Sequence, residues 1–148
     1  RDTSGLCQHH PRDMIACFYE IEWNEANDFN GLWHPAGHSW EDKVRQDVTV
    51  DLLGVEIQSD DPEALGDHWA KVIGTPVTVK GDVRTIALNN AVLRFVESTD
   101  GRGPGLGGLV IAVANRAHIL ARARVRGCYV NDDRVDICGT RFYLTDAD

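Results

Sequence analysis

The sequence predicts an α+β fold of paired βαβββ units that form a cupped mixed sheet, and two observations support this. The stretches GVEIQSDDPEAL (54–65) and GLVIAVANRAHIL (108–120) both begin with glycine and an alternating apolar run, reach Asp or Asn, and continue with a helical pattern. Downstream, 84–98 and 133–146 share a strand–turn–strand pattern with a small or polar centre. A repeat at this spacing indicates a duplicated supersecondary unit.

The first repeat begins with a strand at 51–59, in which apolar and polar residues alternate. Asp60 or Asp61 can cap the following helix, and Pro62 suits its first turn, where a backbone N–H is not needed. Gly74 is expected to end this helix. Three strands are predicted after it, at 76–81, 83–90 and 91–98.

The second repeat follows the same order. Asn115 is predicted to cap a short helix that ends at Gly127, with Ala117, Leu120 and Ala121 facing inward. The remaining strands are predicted at 128–130, 134–138 and 140–144.

The N-terminal part reads as an extra strand followed by a linker. Residues 7–23 are interpreted as a strand with a polar approach, and alternation places Glu20 and Glu22 on the same side of it. The segment 24–48 is rich in Asn, Gly and Trp, a composition typical of turns and linkers. Two of its tryptophans are expected to pack on the domain surface, Trp33 and Trp40.

Composition narrows the possible functions. Lys and Arg number 15 against 23 Asp and Glu, a net charge of −8, which argues against nucleic-acid binding. No apolar run approaches the roughly 18 residues of a membrane span, and no leader pattern is visible. The four cysteines show no CxxC spacing. We therefore expect reduced thiols, a cytoplasmic protein and no membrane partner.

Two further motifs are weighed and set aside. His34 and His38 have an HxxxH spacing, but Pro35 and Gly37 between them favour a linker over a metal-binding helix. The tract GPGLGG (103–108) satisfies GxGxxG, yet a strand follows it where a dinucleotide site needs a helix. It is interpreted as part of a flexible connection between the repeats.

The order of elements resembles the vicinal oxygen chelate superfamily, which includes the glyoxalase and bleomycin-resistance proteins. The resemblance covers nearly all of 51–148, and its most specific feature is SDDPEAL followed by a Trp-containing helix that ends at Gly74. Separately, QHHPRDMIACFYEIEW (8–23) resembles the last strand of such a domain, where an HPxD segment leads into a strand with a Glu metal ligand, here Glu20.

The resemblance implies a domain organisation. Residues 1–48 would be the last strand of a preceding glyoxalase-like module plus a linker, and 49–148 a glyoxalase-like domain with repeats at about 51–100 and 107–148. The chain would then be the C-terminal part of a two-domain member. Any isomerase, lyase or dioxygenase chemistry would lie in the missing first domain, where Glu20 would help to hold a divalent metal.

The metal positions that the family uses match poor ligands in this sequence. They fall on Gly54 and Gly108 in the first strand of each repeat, and on Arg94 and Tyr143 in late strands. Glycine offers no side chain, arginine stays cationic, and protonated tyrosine is a poor ligand. We therefore expect 49–148 to be metal-free, with no cofactor in this chain.

Alternation suggests a candidate ligand site in the cup. If Gly54 faces the cup, the same face carries a polar wall, made of Glu56, Gln58, Arg94 and Tyr143. Such a wall suits a small organic ligand. The alternative is a filled cup in which Arg94 and Glu56 pair only with each other.

Three functions stay open for this domain. The first is small-molecule binding or structural support in a glyoxalase-like protein. The second is a metal-free protein of bleomycin-resistance type that sequesters a drug or metabolite, with Trp33 and Trp40 lining the cup. The third is a structural or interaction module. A homodimer is also expected, because a strand at 14–23 would have unpaired backbone groups.

Overall fold

The computed structural model of the chain describes residues 4–27, 37 and 39–147. Trp33, His34 and His38 lie outside the described residues. The strands are β1 Ser4–His9, β2 Tyr19–Asn24, β3 Thr49–Ser59, β4 Thr78–Lys80, β5 Val83–Ala87, β6 Val92–Glu97, β7 Gly105–Val113, β8 Tyr129–Asn131, β9 Arg134–Ile137 and β10 Thr140–Asp146. The helices are α1 Pro11–Met14, α2 Pro62–Ile73 and α3 Arg116–Arg126, with a short 3₁₀ turn at Glu41–Lys43.

Eight strands form one mixed sheet in the order β4-β5-β6-β3-β7-β10-β9-β8. The second repeat contributes its strands in the reverse order of the first. Strands β3 and β7 pair antiparallel at the centre of the sheet. Each of them also pairs in parallel with the last strand of its own repeat, β6 or β10. Val55 lies opposite Leu109, so Gly54 and Gly108 occupy equivalent positions on either side of this pair. The predicted α+β fold of two βαβββ units is confirmed.

Both long helices begin and end where the sequence predicted. Asp61 Oδ1 accepts a hydrogen bond from the backbone N–H of Ala64 at 2.9 Å, and Asn115 Oδ1 accepts one from that of His118 at 2.9 Å. Gly74 and Gly127 adopt left-handed backbone angles, φ 76° and 70°, which glycine reaches at low cost.

Two apolar cores lie where the helices cover the sheet. The first is Met14, Ile57, Leu65, Trp69, Ile86, Leu93 and Phe95. The second is Val113, Leu120, Ala123, Val135 and Leu144. The inward face predicted for α3 was partly wrong, because Ala117 and Ala121 are exposed. Leu120 and Ala123 are three residues apart and therefore share the face that meets the sheet.

The N-terminal segment differs from the single strand predicted at 7–23. His10 caps and Pro11 begins the short helix α1, which lets β1 return along β2 as an antiparallel pair. The strand expected at 14–23 therefore has a partner within the chain. Met14 is buried in the first core, and its carbonyl oxygen accepts a hydrogen bond from Trp69 Nε1 at 2.8 Å. This segment thus packs on α2. The domain boundary predicted near residue 48 stays a prediction, and so does the homodimer.

The glycine-rich tract 100–108 is more ordered than the flexible connection that was predicted. Strand β7 begins within it, at Gly105, and pairs with β3. The register between the two strands shifts at Glu56–Ile57, which leaves Gly107 as an extra residue in β7. None of the helices among the described residues could span a membrane.

Candidate functional site

The four predicted cup residues lie on the sheet face opposite α2 and α3, which we call the helix-free face. Glu56 and Gln58 alternate along β3 with Ile57 of the first core, and Arg94 on β6 lies beside Glu56 in the register. Tyr143 Oη donates a hydrogen bond to Glu56 Oε1 at 3.1 Å. Arg94 Nη2 lies 3.6 Å from Glu56 Oε2. The structure thus brings Glu56, Arg94 and Tyr143 together.

Arg141, which the sequence analysis did not identify, is the centre of this cluster. Its Nε donates to Glu56 Oε1 at 2.7 Å, and its Nη2 donates to Gln58 Oε1 at 2.8 Å. Arg141 is on β10 and Glu56 is on β3, so its side chain has to cross the strand between them, β7. It does so over Gly107 and Gly108, where no side chain stands in the way.

The space over Gly107 is filled by this crossing. A Cβ atom added at Gly107 would overlap Arg141 Nη2 and would lie 3.1 Å from Gln58 Oε1. One added at Gly108 would lie 3.0 Å from Arg141 Cβ. Gly107 therefore leaves room for the guanidinium to pass, whereas Gly108, at the family's metal position in the second repeat, leaves room for the backbone and Cβ of Arg141.

Gln58 is bound on its other side by the loop that connects the two repeats. Its Nε2 donates to Asp100 Oδ1 at 2.8 Å and to the Gly103 carbonyl at 3.0 Å. Asp100 also pairs with Arg102 at 2.7 Å. The hydrogen bonds from Arg102, with a further one from Gln58, hold the pKa of Asp100 well below its usual range. Gln58 is 1% exposed, and its amide is committed to these internal contacts.

Tyr143 lies between two arginines at the edge of the cluster. Arg94 Cζ is 5.2 Å and Arg134 Cζ 5.9 Å from the centre of the Tyr143 ring. Arg134 in turn makes a two-pronged ion pair with Asp136 at 2.7 and 2.6 Å. Burial, and next the charge of Glu56, raise the pKa of Tyr143, so its hydroxyl stays protonated near neutral pH.

The residues at the family's metal positions do not fit a divalent metal. Gly54 and Gly108 offer no side chain, Arg94 is a cation, and Tyr143 holds its proton. The nearby carboxylate, Glu56, is already bound by a guanidinium at 2.7 Å. Among the residues that the structure describes, no three His, Cys, Asp or Glu side chains are grouped so that they could hold a metal ion.

Glu20 is placed apart from this cluster. It is exposed on β2, in the two-stranded sheet, and accepts a hydrogen bond from Gln8 of β1. Its role as a metal ligand in a longer protein stays a prediction.

No protein-family model and no curated protein sequence match the chain. Among solved structures, a hypothetical protein from Staphylococcus aureus superposes with a TM-score of 0.50 and 11% identity, over 73% of this chain and 37% of that one. Methylmalonyl-CoA epimerase from Mycobacterium tuberculosis gives 0.48 and 16%, over 71% and 93%. A Streptomyces coelicolor methylmalonyl-CoA epimerase variant in complex with 2-nitronate-propionyl-CoA gives 0.44 and 14%, over 67% and 96%.

At such identities these similarities concern the fold alone. The strand order, with two βαβββ repeats joined through β3 and β7, agrees with the predicted resemblance. The chain therefore has a glyoxalase-like fold of two βαβββ units.

Proposed function

We propose that residues 49–148 form a metal-independent, glyoxalase-like domain whose helix-free face binds a small organic molecule. The convergence of Glu56, Arg94 and Tyr143 on this face carries the proposal. Glu56 is 2% exposed, and burying a carboxylate is costly unless it is paired. Arg94 and Tyr143 beside it stay partly exposed. A few oriented polar groups of this kind are typical of small-molecule sites.

The residues on the helix-free face have two roles: some hold other side chains in position, and others are accessible to a ligand. Arg141 is buried and holds Glu56 in position, and buried Gln58 holds Arg141 in turn, so both act as positioning residues. Arg94 and Tyr143 are the groups that a ligand can reach. Val92, beside Gly54 and two residues before Arg94, is 37% exposed and adds apolar surface on the same face.

One observation favours a structural module instead. The Gln58 amide, which the sequence analysis placed in the cup wall, is bound on both sides by Arg141 and the connecting loop. A polar face whose groups only satisfy one another would stiffen the sheet without binding anything. The two functions differ in what Arg94 and Tyr143 do, because these are the members of the cluster that remain accessible.

The experiment is a fragment screen followed by backbone amide chemical shifts in the presence of EDTA. The panel contains anionic, cationic and neutral fragments, and the expected result is shifts on β3, β6 and β10. Arg94→Gln should weaken binding. Arg84→Gln is the matched control, since Arg84 lies on the helix side and pairs with Glu63 at 2.8 Å. Absence of any fragment that perturbs the helix-free face would favour the structural module, and binding that needs added divalent metal would contradict metal independence.

A further inference from the structure

We infer that the helix-free face selects small organic monocarboxylates; this rests on the proposed function. The ion-paired cluster around Tyr143 and Gln58 contains four guanidinium groups and three carboxylates, which are Arg94, Arg102, Arg134 and Arg141 against Glu56, Asp100 and Asp136. The cluster thus carries a surplus of one positive charge in a chain whose net charge is −8. Local charge opposite to that of the whole protein marks a place where an anion is favoured.

The surplus charge resides on Arg94. The other three arginines each have a carboxylate oxygen at 2.6–2.7 Å. The nearest one to Arg94 is Glu56 Oε2 at 3.6 Å, beyond hydrogen-bond distance. Within the described residues the Arg94 side chain makes no hydrogen bond, and it is 30% exposed. Its contact with the Tyr143 ring orients the guanidinium and leaves its N–H groups available.

The chemistry of this guanidinium favours a carboxylate. A planar guanidinium presents paired N–H donors that match the two oxygens of a carboxylate. A second negative charge on the ligand would face the buried Glu56 carboxylate, which disfavours a phosphate dianion. Exposed Val92 lies on the same face and provides apolar contact for the organic part of the ligand.

Four probes of similar size test this selectivity in low salt: phenylacetate, phenylacetamide, benzylamine and phenyl phosphate. Binding is measured by amide chemical-shift titration of the whole chain. We expect phenylacetate to bind about tenfold more tightly than phenylacetamide, since a hydrogen bond between two charged groups is stronger than one to a neutral group. Phenyl phosphate should bind more weakly than phenylacetate, and benzylamine should not bind.

Two substitutions at Arg94 identify the group responsible. Arg94→Gln should abolish the preference for phenylacetate over phenylacetamide, and Arg84→Gln should behave as wild type. Arg94→Lys keeps the charge without the paired donors, so part of the preference should return. The dispersion of the amide spectrum confirms that each variant is folded, and Arg94→Lys gives the test if Arg94→Gln is not.

The outcomes separate this inference from the proposed function. Equal binding of amide and carboxylate on the helix-free face, or tighter binding of phenyl phosphate, would overturn the monocarboxylate assignment and leave small-molecule binding intact. If no probe and no fragment of any charge perturbs this face, the proposed function itself fails.

Discussion

Replacing Gly107 by alanine should disrupt the buried ion pair at the centre of the helix-free face. The added methyl group would overlap Arg141 Nη2, and the backbone of β7 leaves little room for it to move because β7 is paired on both sides. Arg141 would have to leave its position between Glu56 and Gln58. Gly107 does not have a positive φ, so backbone strain does not contribute to the expected effect.

The size of the effect follows from burial. The Arg141 and Glu56 side chains are 9% and 2% exposed, and their ion pair is 2.7 Å long. Breaking a buried ion pair by removing one partner costs about 3–5 kcal/mol. We expect about 3 kcal/mol for Gly107→Ala, because Arg141 keeps its charge and can move toward Asp100. In a domain of this size such a loss lowers Tm by about 6–12 °C.

Urea unfolding followed by tryptophan fluorescence measures this loss, and Gly105→Ala is the matched control. Gly105 is on the same strand, also lacks a positive φ, and has no atom within 4 Å of the position of an added Cβ. The control should change stability by less than about 0.5 kcal/mol. If Gly107→Ala is no more destabilised than Gly105→Ala, Arg141 does not depend on the glycine and our account of the crossing is wrong.

Three other predictions concern stability. Arg141→Met alone should cost about 3–5 kcal/mol, whereas adding Glu56→Gln should recover part of that loss, because the isolated buried charge is removed; a double-mutant cycle in urea showing no coupling would contradict the pair. The lowered pKa of Asp100 stabilises the fold above its ordinary value of 3.8, and this contribution is lost as the pH falls from there toward the folded-state pKa. Asp100→Asn should therefore lose less stability than wild type between roughly pH 4 and pH 2, as acid titration of the urea midpoint would show. Met14→Ala should cost about 2–5 kcal/mol and Leu6→Ala little, since Met14 is 1% and Leu6 62% exposed; equal effects would mean that the N-terminal segment is not part of the core.

Local sequence patterns were sufficient to predict the parts of this fold that depend on near neighbours. Asp61 and Asn115 cap the helices as predicted, because a side-chain oxygen three residues before a backbone N–H meets it by local geometry. Gly74 and Gly127 end the helices for a similarly local reason. Alternation along β3 was likewise enough to place Glu56 on the face opposite the first core.

The N-terminal segment shows where such patterns stop being informative. Its apolar and polar residues alternate in a way that fits one long strand at 7–23, but Pro11 begins a helix and β1 pairs back on β2. The burial of Met14 against Trp69 joins residues 55 positions apart. Nothing in the local composition of the segment distinguishes a docked strand pair from the end of another module.

The sequence by itself determined the duplicated βαβββ plan, its helix boundaries and the lack of good ligands at the four family metal positions, because each of these depends on residue type and short-range periodicity. Only the tertiary structure decided that the Arg141 guanidinium lies at the centre of the helix-free face, between Glu56 and Gln58. Its contact with Glu56 joins residues 85 positions apart and depends on the β7 register shift at Gly107. A register between strands is set by the packing of the whole sheet, so no local pattern around Arg141 could reveal it.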